Sequence, residues 1–171
     1  MLAELEERAL VARANRGEAA ALETLYRETR DWVLGLAHRL TGNPADALDV
    51  MQETFLWFFG RFPGFKLTSS LRSFLYPVVK HQAIAIARRR RHDAPAAPEL
   101  GWTLPGEEHG DFHRMLAVLP AEQRDVVTLR FGLDFKLEEI AEALAIPLGT
   151  VKSRLHNALK VLLAQQKSDP R

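Results

Sequence analysis

The chain has no cysteine among its 171 residues. Disulfides, thiolate zinc ligands and thiol nucleophiles are thereby excluded, in keeping with a reducing compartment such as the cytoplasm. No apolar run approaches the roughly 20 residues that a membrane helix needs, and the opening MLAELEERAL is acidic where a secretory signal would be basic. Membrane insertion is therefore not expected. Gly-rich phosphate loops, internal repeats and coiled-coil heptads are missing as well. His109 and His113 stand one helical turn apart near Glu108 and Asp111, but they lack a third histidine and the intervening glutamate of a zinc hydrolase. No Ser/His/Asp order or paired buried carboxylates can be argued. Neither a metal, nor a cofactor, nor an enzymatic activity is expected.

Net charge is scarce too, at +1, but its distribution is uneven. Residues 1–91 hold 14 Lys/Arg against 10 Asp/Glu, residues 92–119 hold 1 against 5, and residues 120–171 hold 8 against 7. A basic first part, an acidic connector and a near-neutral end suggest separate tasks.

What is present is helical periodicity. Residues 4–14 and 18–40 read as two helices broken at Arg16-Gly17, with Leu22, Leu25, Tyr26, Val33, Leu36, Ala37 and Leu40 on the inner face of the second. Thr41-Gly42-Asn43-Pro44 ends that helix and opens a third, in which Leu48, Met51, Phe55 and Phe58/Phe59 are expected to be buried. Asp46 and Asp49 suit the positive end of its dipole, and Asp49, Gln52 and Glu53 should face outward. The stretch 60–70 (GRFPGFKLTSS) is a loop unusually rich in Phe. LRSFLYPVVKHQAIAIARRRR then reads as a helix that Pro77 should kink or break, since an interior proline costs about 3 kcal/mol. Residues 92–107 are Pro/Ala/Gly-rich and acidic, a linker in composition. Four helices should follow, near 111–119, 121–131, and two more within 136–165.

Those last two carry a plain signal. Leu137, Ile140, Ala141 and Leu144 form one apolar face, and Val151, Leu155, Ala158 and Leu162 form another, with a tight turn at Ala145-Ile146-Pro147 between them. Opposite the second face lie Ser153, His156, Asn157 and Lys160, flanked by Thr150, Lys152 and Arg154. An amphipathic hairpin is the plainer reading, but hydrogen-bonding and cationic groups with almost nothing apolar suit a helix in the DNA major groove. In the 60–70 loop, Phe62 and Phe65 stand beside Arg61, Lys66 and Thr68-Ser69-Ser70, a mixture able to hold an unstacked base. Arg88, Arg89, Arg90 and Arg91, with Lys80 and Arg72, exceed what helix capping requires and favour a phosphate-binding surface.

Two segments resemble one family. DALDVMQETFLWFF is similar to the DAEDLVQETFL signature in region 2 of bacterial sigma factors. LPAEQRDVVTLRF, EEIA and GTVKSRL follow in the order found in their region 4. Both matches, separated by the acidic linker, resemble the extracytoplasmic-function group. The resemblance implies an all-α chain of two small helical domains: a region 2 bundle over 1–91 and a region 4 helix-turn-helix over 111–171, joined by an acidic flexible linker at 92–110.

It implies an alternative sigma factor whose partners are the β′ and β subunits of core RNA polymerase and promoter DNA. It also leaves room for an anti-sigma protein. Asp46, Asp49, Gln52 and Glu53 would dock on polymerase. The −10 element would meet Arg61, Phe62, Phe65, Lys66, Ser69, Lys80, His81 and Arg88 to Arg91. The −35 element would meet Thr150, Lys152, Ser153, Arg154, His156, Asn157 and Lys160. Three positions depart from the family pattern: Pro77 replaces a common basic residue, His81 a base-contacting asparagine, and Asn157 a frequent arginine. Asn157 would favour adenine over guanine.

Two rival readings make distinct predictions. A dimeric helix-turn-helix regulator would bind its operator without polymerase. A helical adaptor would make no DNA contact and leave the four arginines unexplained.

Overall fold

The computed structural model describes residues 2–93 and 110–168, with side chains described over 5–89 and 114–165. Among the described residues every regular element is helical. The chain divides into two compact units between residues 103 and 104, inside the stretch read as the linker. Of the linker expected over 92–110, residues 92–93 belong to the helix ending at Asp93 and residue 110 begins the next helix, while 94–109 lie outside the described residues.

The first unit contains α1 (Leu2–Asn15), α2 (Ala19–Thr41), α3 (Pro44–Phe59) and α4 (Leu71–Asp93). Gly17, at φ +86°, turns the chain between α1 and α2. Gly42 ends α2 at φ +64°, its N–H donating to the His38 carbonyl at 2.8 Å. Asn43 then caps α3, its side-chain oxygen accepting from the N–H groups of Ala45 (2.8 Å) and Asp46 (3.1 Å), while Pro44 fills the first helical position. Such a cap contributes about 1 kcal/mol.

The core is built from Leu25, Val33, Leu36, Ala37 and Leu40 of α2, Ala47, Val50, Phe55 and Phe58 of α3, and Leu71, Leu75, Tyr76, Val79 and Ala83 of α4. Leu22 and Tyr26 are half-buried beside them. Leu48, expected on the buried face of α3, lies outside it. Leu48 is 46% exposed, because the stripe of α3 runs through Ala47, Val50, Thr54 and Phe58 and leaves Leu48 about 100° away from it. Met51 and Phe59 are only half-buried.

Helix α4 is not broken at Pro77, which lies exposed inside one continuous element. Its neighbours Leu75, Tyr76 and Val79 are buried completely or nearly so. Each such side chain contributes about 1.5–3 kcal/mol, enough to offset the lost hydrogen bond.

The second unit contains α5 (Gly110–Ala117), α6 (Ala121–Val127), α7 (Leu137–Ala143) and α8 (Leu148–Ser168). Leu116, Leu119, Val127, Ala158 and Leu162 form a core against which Met115 and Leu155 pack. Arg124 ties α5 to α6: its guanidinium donates to the carbonyls of Leu116 (3.1 Å), Ala117 (3.3 Å) and Leu119 (3.0 Å) at and beyond the end of α5, where backbone carbonyls run short of helical partners. The helix expected over 121–131 is α-helical only to Val127 and continues as a π-type turn, Thr128–Gly132. The wider turn precedes a bend in which Leu133 and Phe135 are buried, and Arg130 donates to the Phe135 carbonyl at 2.9 Å.

Between α7 and α8 the N–H of Ile146 reaches the Ala141 carbonyl (2.9 Å) and that of Ala145 the Glu142 carbonyl (3.1 Å). This is a Schellman ending with Ala145 at φ +52°, where glycine is usual. Pro147 then opens α8, its carbonyl accepting from Thr150 and Val151.

Candidate nucleic-acid interface

On α8 the buried stripe is Val151, Ala158 and Leu162, with Leu155 half-buried beside it. Lys152, Ser153, His156, Asn157 and Lys160 are all exposed, as the wheel predicts, and Thr150 is half-buried. From Lys152 to Lys160 the rise is about 12 Å, comparable with the major groove width of about 12 Å. The Ser153 hydroxyl donates to the Thr150 carbonyl at 3.0 Å, which leaves its oxygen lone pairs available outward. Arg154 differs from the others. Only 25% of its side chain is exposed, and its guanidinium lies 2.5 Å from the carboxylate of Glu122 on α6. It sits on the flank of the helix next to the buried stripe, not on the open face.

In the first unit the aromatic rings meet around Phe58, which is fully buried. Phe62 and Phe65 each lie 5.4 Å from it, edge to face, and Phe65 is 4.6 Å from Phe74. Phe65 is only 8% exposed and Phe62 half-buried, so the loop hangs its rings inward. Arg61 and Lys66 are exposed on either side, and Ser69 is half-buried. The Arg61 guanidinium sits 4.1 Å from the centroid of the Trp57 ring, which in turn stacks on Phe74. The Phe62–Pro63 peptide is cis.

The loop is tied down from a distance. Asn15 Oδ1 accepts from the N–H groups of Gly64 (2.7 Å) and Phe65 (3.0 Å), and its Nδ2 donates to the Phe65 carbonyl (2.8 Å). Arg8 donates to the Thr68 carbonyl at 3.0 Å, and the Glu7 carboxylate accepts from the Leu71 N–H at 2.9 Å. Ser69, Ser70 and Ser73 join hydroxyls where α4 begins, with Ser70 to Ser73 at 2.6 Å. None of the α1 contributions was legible beforehand. An asparagine before Arg-Gly reads as a helix ending, and its partners lie fifty residues away. At the same corner Glu18 receives Arg13 at 2.7 Å and Arg16 at 3.0 Å. The hydrogen bond from Arg13, aided by Arg16 and opposed by partial desolvation, holds its carboxyl below its usual value.

Further along, His81, Arg88 and Arg89 are exposed and Lys80 is half-buried. The side chains of Arg90 and Arg91 lie outside the described residues, as do those of His109 and His113. On α3, Asp49, Gln52, Glu53 and Leu56 recur at helical spacing on the exposed side, with Leu56 69% exposed and Leu48 46% exposed. Asp46, in contrast, is 7% exposed at the first turn and does not belong to that strip. Among the described residues no group of acidic or histidine side chains could hold a metal, and no helix is long and apolar enough to cross a membrane.

Comparison with known proteins gives one family match within each unit. Residues 25–93 match the family model described as Sigma-70 region 2, and residues 109–162 match Sigma-70, region 4. The RNA polymerase sigma-E factor of Streptomyces avermitilis is 32% identical over 158 residues, covering 89% of this chain and 88% of that one. The ECF RNA polymerase sigma factor SigL of Mycobacterium tuberculosis is 34% identical over 168 residues, covering 90% and 93%. In fold, the chain is similar to the sigma factor RpoE crystallised with the anti-sigma factor NepR from Bartonella quintana. That match has a TM-score of 0.61 at 22% identity over 86% of this chain and 98% of that one.

Proposed function

The chain belongs to the sigma-70 family of RNA polymerase sigma factors, in its extracytoplasmic-function group, and from that premise we propose how its surfaces divide the work of promoter recognition. The protein joins core RNA polymerase, recognises −35 and −10 elements and promotes initiation of DNA-templated transcription in the cytoplasm. It needs no covalent step, metal or cofactor of its own. The observation that carries this reading is the pairing of two exposed polar surfaces, one in each matched region: the open face of α8 and the rim of the 60–70 loop with α4.

The α8 face reads the −35 duplex through Lys152, Ser153, His156, Asn157 and Lys160, with Thr150 at the helix entrance. Arg154, paired with Glu122, meets phosphate from the flank. At the −10 element Arg61, Phe62, Lys66 and Ser69 border the place where a displaced base would sit. Phe65 supports that place from beneath, and Lys80, His81 and Arg88 to Arg91 attract the backbone. Stacking of each captured base contributes about 1–3 kcal/mol, a bias toward opening that polymerase completes. Asp49, Gln52 and Glu53, with Leu48 and Leu56 as apolar contacts, form the docking strip for a basic surface of polymerase β′. The β subunit and an anti-sigma protein are further partners.

Run-off transcription with core polymerase, with and without this chain, tests the proposal. Promoter-specific initiation that depends on the added chain is the expected result. Tight operator binding by the free protein, with no polymerase complex and no added initiation, would indicate the dimeric regulator instead.

A further inference from the structure

We propose that Asn15, the last residue of α1, is a positioning residue that sets which base the 60–70 loop accepts. The inference rests on the reading of that loop as the −10 contact, and it concerns residues ahead of position 25, where the region 2 match begins. A single carboxamide makes three hydrogen bonds to two consecutive residues, Gly64 and Phe65, at 2.7, 3.0 and 2.8 Å. Together they fix the peptide planes on both sides of the Phe65 α-carbon. Gly64, at φ +103° and with open space around it, has nothing of its own to hold that conformation. Phe65 anchors the ring side of the loop in the core, and Asn15 anchors the backbone side.

The groups of the rim, exposed Arg61 and half-buried Phe62 before Gly64 and exposed Lys66 after Phe65, extend from the fixed segment. Reading a base edge requires donor–acceptor distances within about 2.7–3.2 Å. Attraction to phosphate changes slowly over the same displacement. A loop freed to move by an ångström would keep its charge and lose its selectivity. Asn15 therefore governs discrimination among bases more than affinity for DNA. The Arg13–Glu18 and Arg16–Glu18 pairs flank Asn15 in sequence at the turn that follows α1.

The test uses the full chain with core polymerase on a promoter that the wild-type protein transcribes, each −10 base being replaced in turn. A mismatched base should lower wild-type output by about five- to a hundredfold. In Asn15→Ala the penalty at one or more −10 positions should shrink to within about twofold, with binding to an isolated −35 duplex unchanged. Asn15→Asp keeps the one oxygen that accepts from both backbone N–H groups but sets its second oxygen, in place of the amide nitrogen, against the Phe65 carbonyl. It should show the same loss of preference in a protein whose loop keeps two of its three ties. A uniform fall across all promoter variants, with the ratios intact, would mean that Asn15 only stabilises the unit and would overturn the proposal. Initiation by the wild type together with unchanged preference in both variants sinks the role of Asn15 alone. A wild-type protein that initiates nowhere removes the sigma reading and this inference with it.

Discussion

Ala145 holds a left-handed conformation at φ +52° with its side chain in solvent, between α7 and α8. A non-glycine residue there costs about 1–2 kcal/mol, partly returned because alanine restricts the unfolded chain by about 0.4–1 kcal/mol more than glycine. Ala145→Gly should therefore raise the stability of the second unit by up to about 1.5 kcal/mol. Thermal melting reads that gain, and a fall in midpoint would show that the alanine contributes something the geometry does not reveal. Glu18 gives the residue scale a pH dependence. Its folded-state carboxyl titrates below the free value of about 4.3, so its pairing stabilises fully above that pH and is lost as pH falls through the lower folded value. Wild type and Glu18→Gln should differ in midpoint at neutral pH and converge in acid. A difference that stays constant into acid would argue against the pairing as its source.

At the scale of elements, the strip on α3 can be tested without disturbing the core, because Asp49 and Glu53 are exposed. Asp49→Lys with Glu53→Lys should weaken assembly with core polymerase by about tenfold or more, as like charges replace opposite ones. Binding to a −35 duplex should be unaffected. Equal losses in both measurements would mean that the strip supports the fold instead of docking.

The helices themselves were legible in the sequence. Their apolar residues recur at helical spacing, and Gly17, Gly42, Asn43 and Pro147 mark turns whose physics is local. The open face of α8 was legible for the same reason. Leu48 departs from the expected stripe because LDVMQETFLWFF is apolar on more than one side, and periodicity alone does not choose between Ala47/Val50 and Leu48/Met51. The Asn15 tie and the Arg154–Glu122 pair depend on residues far apart in the chain. Local pattern cannot supply them. Composition suggested the loop's chemistry, but only the packing around Phe58 separates its supporting ring from its accessible rim.

For the whole molecule, that separation decides which variants can distinguish the two DNA contacts. Phe65 would be a poor probe of promoter opening, since truncating a buried phenylalanine costs about 3–5 kcal/mol and would unsettle the first unit as a whole. Arg61 and Lys66 are exposed, so their replacement removes charge and leaves the ring cluster in place. Lys152 and Lys160 are their counterparts on α8. If the two units grip the promoter at two points, Arg61→Ala with Lys66→Ala should impair initiation on duplex DNA. Output should recover on a template whose −10 region is already mismatched and open, because the opening step is supplied in advance. Lys152→Ala with Lys160→Ala should lower initiation on both templates and reduce the salt slope of −35 duplex binding by about 2, one counterion per lost phosphate contact. Recovery of both pairs on the open template, or of neither, would mean that the two surfaces act on a single step and that the division between recognition and opening does not follow the division of the fold.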